Sequence, residues 1–166
     1  MKKVVTGNTE IDKQHAELDS LIDGLDQVCE SKRQNGAPCL SCPVDSHGAC
    51  NDRLAKLIGD LLGFMLTHFS YEEKLMRLLP NTPENHQHIE GHQRAHAEIS
   101  RLLSELTAKL DRDNPRQSAI HLQHIASAWI GRHSEGMDAQ LALALGSAYR
   151  AEVDYDIELT RLLASK

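Results

Sequence analysis

Two side-chain pairs with the same four-residue spacing constrain this sequence most. His68 and Glu72 form the first pair, and His92 and His96 form the second. Residues four positions apart on an α-helix lie on one face, about one turn from each other. Each pair stands in a stretch whose apolar residues recur at helical spacing, which predicts long amphipathic helices. Two helices that each present an inward pair of ligands indicate a metal site inside a helix bundle.

The composition narrows the class of protein. The chain has 166 residues, and 18 basic against 24 acidic side chains give a formal charge of −6. This acidity, without a dense basic patch, argues against a nucleic-acid partner. No apolar run approaches the about 20 residues of a membrane span, and residues 1–6 lack the apolar part of a secretory signal. We therefore expect a single cytoplasmic domain over residues 1–166, with no membrane partner and with reduced cysteines.

The apolar pattern predicts an all-α fold, an up-down-up-down four-helix bundle. The expected helix starts are residues 9–12, 51–52, 82–83 and 114–115, and the third helix is expected to run to about residue 111. Residues 139–166 are expected to form a C-terminal extension or connector helix, with a break or kink near Gly146-Ser147.

Seven side chains are candidates for an inward cluster of metal ligands: His15, His68, Glu72, His92, His96, His133 and Asp138. Imidazole-rich ligation favours iron, zinc or copper. Seven ligands are too many for one tetrahedral zinc, whereas two ions that share two carboxylates would use them all. The alternative is a set of hydrogen-bonded polar core residues, but burying seven such groups without a metal would be costly. We expect the other histidines to lie outside the site: His47, His86, His88, His121 and His124.

The last pair of candidates does not have helical spacing. His133 and Asp138 are five residues apart, which on a regular helix leaves them about 140° apart. A π-type turn, which closes i to i+5, would bring both onto one face. Gly136 lies between them and eases such a backbone. We therefore predict a widened turn or kink within residues 131–138.

A cysteine-rich insertion interrupts the helical pattern over residues 29–50. Its glycines and prolines predict a loop, and the loop is long for a helix–helix connection. All four cysteines of the chain are in it: Cys29, Cys39, Cys42 and Cys50. Four thiolates can enclose a zinc ion, and Cys39-x-x-Cys42 can alternatively act as a redox pair. Unligated thiols and an iron–sulfur cluster also remain open.

The chain resembles hemerythrins, most closely the bacterial HHE-type di-iron bundles. Ile11-Asp12-Lys13-Gln14-His15 is similar to the family's I-D-x-Q-H entry. His68-Phe69-x-x-Glu72-Glu73-x-x-Met76 is similar to its H-F-x-x-E-E-x-x-M motif. His92-x-x-x-His96 and Trp129-x-x-x-His133-x-x-x-x-Asp138 complete the set in the family's order, over residues 7 to about 140.

The resemblance implies an oxo- or hydroxo-bridged di-iron centre. His92, His96 and His133 would hold one iron, His15 and His68 the other, and Glu72 and Asp138 would bridge them. The two-histidine iron would keep an open position for dioxygen, which implies reversible oxygen binding.

Three functions are compatible with that resemblance. The leading hypothesis is an oxygen- or redox-sensing module of a bacterial signalling protein. Bacterial hemerythrin domains are often joined to diguanylate cyclases or chemoreceptors, and the extension would connect to such an output domain or form a homodimer. The alternatives are a stand-alone oxygen carrier or store, and a di-iron peroxidase or nitric-oxide-handling enzyme. No inward acid or base is expected beyond the seven ligands, so we do not expect an enzyme.

Overall fold

The computed structural model describes residues 5–29, 39 and 42–146. Four helices follow one another in chain order: α1 (Thr9–Leu25), α2 (Val44–Met76), α3 (Pro83–Ala108) and α4 (Pro115–His133). A π-helical turn, Ser134–Asp138, follows α4 directly, and α-helix resumes over 139–146. The described residues form no strand. Each helix packs against its neighbours in sequence, and α1 also packs on α4, so the predicted four-helix bundle is confirmed.

Three predicted helix starts are confirmed by their caps. The side chain of Asn8 accepts hydrogen bonds from the backbone N–H groups of Glu10 and Ile11. Thr82 and Asn114 cap α3 and α4 in the same way, and in both helices a proline follows at the first position. These side chains satisfy N–H groups that have no partner within the helix, and proline has no such group to satisfy.

The start of α2 differs from the prediction. The helix begins at Val44, not near residues 51–52, so it contains His47, Gly48 and Cys50. Pro43 has extended backbone and ends the loop, and the Ser46 N–H already bonds to the Pro43 carbonyl at 2.9 Å. Gly48 was expected to mark the loop, but a glycine costs a helix only about 1 kcal/mol, and the long apolar face of α2 outweighs that cost. The insertion is therefore partly helical.

Two apolar clusters surround a polar layer in the bundle. The larger cluster contains residues of all four helices, among them Leu18, Leu61, Ile99, Leu103 and Ile130. The smaller cluster consists of Ile11, Met76 and Leu141 with their partly buried neighbours. Along α1, along α2, and along α4 with the segment that follows it, the predicted ligands lie between a residue of one cluster and a residue of the other. The site is therefore sealed by apolar packing on two sides.

Two sequence predictions fall on parts of the chain that the structure does not describe. Residues 30–38, 40 and 41 of the insertion and 147–166 of the C-terminal extension lie outside the described residues. Among the helices that are described, none has the length and apolar character needed to cross a membrane.

Candidate metal centre

All seven predicted ligands are buried, and the structure brings them together in two groups. The first group consists of Glu72, His92, His96 and His133, and the second of His15, His68, Glu72 and Asp138. The ligand atoms of each group lie within 4.8 Å of one another. Glu72, His92 and Asp138 have no exposed surface at all, and none of the other four is more than 5% exposed. Burial this complete means that the polar atoms must satisfy one another or bind an ion.

The first group presents three imidazole nitrogens to one point. His133 Nε2 lies 3.0 Å from His92 Nε2 and 3.2 Å from His96 Nε2. Glu72 Oε2 lies 3.0 Å from His96 Nε2 and 3.4 Å from His92 Nε2. Imidazole nitrogens bind metal ions at about 2.0–2.1 Å, so two ligands of one ion lie about 3.0 Å apart at a right angle and about 3.4 Å apart at a tetrahedral angle. The separations in this group suit a single ion.

Each carboxylate has one oxygen towards each group of histidines. Asp138 Oδ1 lies 3.0 Å from His133 Nε2 and 3.2 Å from His92 Nε2, and its Oδ2 lies 2.9 Å from His15 Nε2. Glu72 Oε2 faces the first group, and its Oε1 lies 3.6 Å from His68 Nε2. Glu72 Oε1 and both Asp138 oxygens have no hydrogen bond of suitable geometry within the described part of the chain. Buried oxygens without such bonds, close to several nitrogens, fit cation ligands.

The charges of the cluster call for positive neighbours. Burial opposes the charge of Glu72, but the close imidazoles of His133, His92 and His96 outweigh it and lower the pKa of Glu72 to about 2. Burial also opposes the charge of Asp138, and the close imidazoles of His133, His15 and His92 hold its pKa well below the usual range. Two ionised carboxylates therefore lie in the core.

Protons on the histidines can balance these carboxylates when no metal is bound. Burial acts to lower the pKa of His133, but the nearby carboxylates of Asp138 and Glu72 raise it to about 9. The pKa of His92 is also raised, because its contacts with the same two carboxylates outweigh burial. Metal ions would replace these protons, since a ligating imidazole must present a free lone pair.

The predicted widened turn is present. Ser134–Asp138 is π-helical, and it places Asp138 beside His133, at a spacing that a regular helix would turn apart. Gly136 lies in this turn, but a Cβ there would meet no atom within 4 Å, and its φ is not positive. Gly136 lies in the turn as predicted, but the turn has room for a larger residue at this position.

The comparisons with known proteins agree with this geometry. A family model described as the hemerythrin HHE cation binding domain matches residues 6–145. The chain belongs to the hemerythrin family. No curated protein and no solved structure matches the chain significantly. The matched range includes all seven predicted ligands of this hemerythrin domain and the whole cysteine insertion.

Aromatic rings close the three-histidine side of the hemerythrin cluster. Phe69 stacks on His96 with ring centroids 3.8 Å apart and planes 11° from parallel. Trp129 stacks on His133 at 4.3 Å and 17°. These contacts fix the two imidazole planes and keep water from their faces. A groove of about 620 Å³ between α3 and α4 reaches Trp129 and His133 from outside.

Three residues that contact the ligands from behind had no predicted role in the site. Gln14 Oε1 lies 2.8 Å from His68 Nδ1, His88 Nε2 lies 3.5 Å from His92 Nδ1, and Glu73 Oε1 lies 3.8 Å from His96 Nδ1. His88 is in neither group of ligand atoms, as expected, but it lies directly behind one of the ligands. Its position one helical turn before His92 was a signal, because residues four apart share a face. His86, His121 and His124 are exposed, as expected.

The cysteines of the hemerythrin chain do not gather as the histidines do. Cys29, Cys39 and Cys50 are buried, and Cys42 is half-buried. Among the described residues, which include all four cysteines, groups of three or more close ligand atoms occur only in the histidine–carboxylate cluster. His47 Nε2 bonds to the Cys39 carbonyl at 2.7 Å instead of lying among thiols. The zinc site and the Cys39–Cys42 redox pair stay predictions.

Cys50 has the best described surroundings of the four. Its thiol lies close to that of Cys29, and Arg53 Nη2 donates to its Sγ at 3.6 Å. Burial raises the pKa of Cys50, the neighbouring Cys29 adds to this, and Arg53 opposes it. The thiol is therefore held mainly in its protonated, less nucleophilic form.

Proposed function

We propose that this hemerythrin domain binds two iron ions and dioxygen, and that it serves as an oxygen- or redox-sensing module of a bacterial signalling protein. One observation carries the proposal: three histidines face one side of the two carboxylates and two histidines face the other. A single-ion site would not need two shared carboxylates or five imidazoles.

The residues have separate roles in the proposed centre. His92, His96 and His133 would hold one iron, and His15 and His68 would hold the other. Glu72 and Asp138 would bridge the ions, since each has one oxygen towards each group. Bound iron would supply the redox chemistry with which dioxygen is captured. The side with one histidine fewer would keep the position for dioxygen open.

The protein's own residues prepare the centre in two ways. The carboxylates stay ionised at neutral pH, because the surrounding histidines outweigh burial, lower the pKa of Glu72 to about 2 and hold the pKa of Asp138 well below its usual range. The stacked Phe69 and Trp129 rings and the apolar clusters limit the entry of water. A dry, pre-charged cavity favours the retention of divalent and trivalent cations.

The surroundings of the cluster support binding over catalysis. Asp12 lies near His15, but its carboxylate bonds to Thr6 and Gly7. Two other titratable groups near the ligands, His88 and Glu73, lie behind imidazole rings at the Nδ1 side. Neither faces the space between the ligand nitrogens, where a catalytic acid or base would have to act. The cysteine insertion favours sensing over simple oxygen carriage, because the half-buried Cys42 offers a thiol outside the cluster that oxidants can reach. The domain is proposed to cover residues 1–166, to act in the cytoplasm and to contact an output domain or a second copy through its C-terminal extension.

An optical titration tests the proposed function. The protein is loaded with ferrous iron without oxygen, exposed to air and then flushed with argon. A charge-transfer band that appears in air and disappears under argon supports dioxygen binding as a carrier would show it. Rapid conversion to a stable ferric spectrum, reversed only by a reductant, supports redox sensing. The absence of any change in air would overturn the proposal.

A further inference from the structure

The sequence predicts that His88 is not a metal ligand, and the structure places it directly behind the ligand His92. It lies on α3 one turn before His92, and the two rings have centroids 5.3 Å apart with planes at 77°. His88 Nε2 lies 3.5 Å from His92 Nδ1. His88 is half-buried and lines a groove of about 710 Å³ at the N-terminal part of α3. It is therefore the link between a fully buried ligand and the outside of the bundle.

A second contact holds His88 from the other side. Gln140, which follows the π-helical turn, lines the same groove as His88 and makes a polar side-chain contact with it. Gln140 stands two residues after Asp138, one of the shared carboxylates. The chain of contacts from Gln140 through His88 to His92 thus connects α3 with the segment that presents Asp138.

The direction of the His92 ring explains why this link matters. His92 Nε2 points into the cluster, 3.0 Å from His133 Nε2 and 3.2 Å from Asp138 Oδ1. A neutral imidazole carries one N–H, so Nε2 can offer a lone pair only when the proton sits on Nδ1. A neighbour that accepts the Nδ1 proton fixes both the tautomer and the ring orientation.

The same arrangement occurs on the other side of the cluster. Gln14 Oε1 lies 2.8 Å from His68 Nδ1, and an amide oxygen can only accept, so it selects the tautomer with the proton on Nδ1. By contrast, the Nδ1 atoms of His15, His96 and His133 have no hydrogen bond in the described part of the chain. One histidine of each proposed iron site is therefore braced from behind.

We propose that His88 is a positioning residue for the metal centre: its Nε2 accepts the Nδ1 proton of His92, and Gln140 holds His88 in place. This inference rests on the proposed function, because the orientation matters through the ion that His92 would bind. Loss of such an outer partner typically weakens metal affinity about 10- to 100-fold. The 3.5 Å separation is long for a hydrogen bond, and it is expected to shorten on metal binding, because a ligated imidazole is a stronger N–H donor.

The test compares three variants of the full chain. His88→Ala removes the acceptor, and His88→Gln supplies an amide oxygen that can replace it. His86→Ala is the matched control, because His86 is exposed on the same helix and no described contact joins it to the cluster. Each protein is loaded with ferrous iron without oxygen, and iron retention is measured against a competing chelator. We expect His88→Ala to hold iron about 10- to 100-fold less tightly, His88→Gln to recover most of that loss, and His86→Ala to match the wild type.

Two further readouts separate positioning from general support of the fold. The metal-free variants should unfold at nearly the same temperature, because a residue that only positions a ligand acts through the bound metal. Proton NMR of the ferrous protein should show a shifted, solvent-exchangeable N–H resonance that is lost or broadened in His88→Ala and returns in His88→Gln.

Equal iron retention in His88→Ala and His86→Ala would overturn this inference alone. If His88→Ala and His88→Gln lose iron equally, and both metal-free variants also unfold at a lower temperature than the wild type, His88 has a packing role and the inference is overturned. A wild-type protein that binds no iron would overturn the proposed function as well.

Discussion

The histidine–carboxylate cluster and the cysteine insertion are both rich in metal-binding side chains, but the side chains come together only in the cluster within the described part of the chain. The cluster takes its seven residues from four helices of 17 to 33 residues and from the π-helical turn after α4, and it converges on two small groups of atoms. The four cysteines stand much closer together in sequence, but the described structure gathers no three of them. Helical periodicity turns sequence spacing into a defined direction, whereas a loop with glycine and proline does not. Closeness in sequence is therefore the weaker guide to a metal site.

The largest expected effect concerns the cluster. His68→Ala should remove one of only two histidines on its side, and Glu72→Ala should remove an oxygen from each group at once. Both variants are expected to lose most of the two irons per chain, measured by metal analysis after anaerobic loading. His121→Ala serves as control, because His121 is exposed on α4. Two irons retained in both variants would break the comparison, since the cluster would then not be the metal site.

A variant with all four cysteines changed to serine tests whether the insertion binds a metal of its own. It is expected to keep both irons and to lose only a separate metal, if zinc occupies the insertion. Purification without oxygen followed by elemental analysis of the wild type and the variant decides this. An absence of extra metal in the wild type would favour the redox hypothesis for Cys39 and Cys42. Loss of the di-iron centre in the variant would show that the two regions are not independent.

A smaller effect is expected from pH in the metal-free protein. The pKa of His133 is raised from 6.5 to about 9, so its protonated form stabilises the folded state. That stabilisation is complete below pH 6.5 and is lost as the pH rises through about 9. The free energy of unfolding, measured by denaturant titration, should fall over this range without iron and change less with iron bound. Titrating the four-serine variant removes any contribution from thiol ionisation. A flat profile in the metal-free protein would contradict the coupling of His133 to the carboxylates.

The smallest expected effect concerns the π-helical turn. Gly136→Ala should keep both irons and change stability by no more than about 1 kcal/mol, in the stabilising direction, because the Cβ meets nothing and the backbone suits any residue. Thermal unfolding with iron analysis measures both quantities. Loss of iron in this variant would mean that the turn which places Asp138 depends on a glycine after all.

Most of the bundle could be predicted because its signals are local and repeated. Three helix starts are marked by residues whose side chains cap the first backbone N–H groups: Asn8, Thr82 and Asn114. The five-residue spacing of His133 and Asp138 predicts the π-helical turn because a regular helix would separate these two side chains. The seven side chains also share inward helical faces, so their meeting could be expected, although spacing alone does not show which atoms face which.

Other features depended on tertiary contacts that spacing does not encode. The first two turns of α2 hold Gly48 and follow Pro43, and only the packing of the long helix overrides those local signals. The contact of His88 with Gln140 could not be predicted, because it depends on how α3 and the segment after α4 lie in space. The contact between Cys29 and Cys50 arises because the two ends of the insertion meet in the core cluster.

Diffraction at the iron absorption edge, on crystals loaded with ferrous iron, tests the central claim most directly. The proposed centre predicts two anomalous peaks per chain. One peak should lie among the Nε2 atoms of His92, His96 and His133, the other should lie beside His15 and His68, and Glu72 and Asp138 should contact both. A single peak, or iron located at the cysteines instead, would contradict the two-iron assignment.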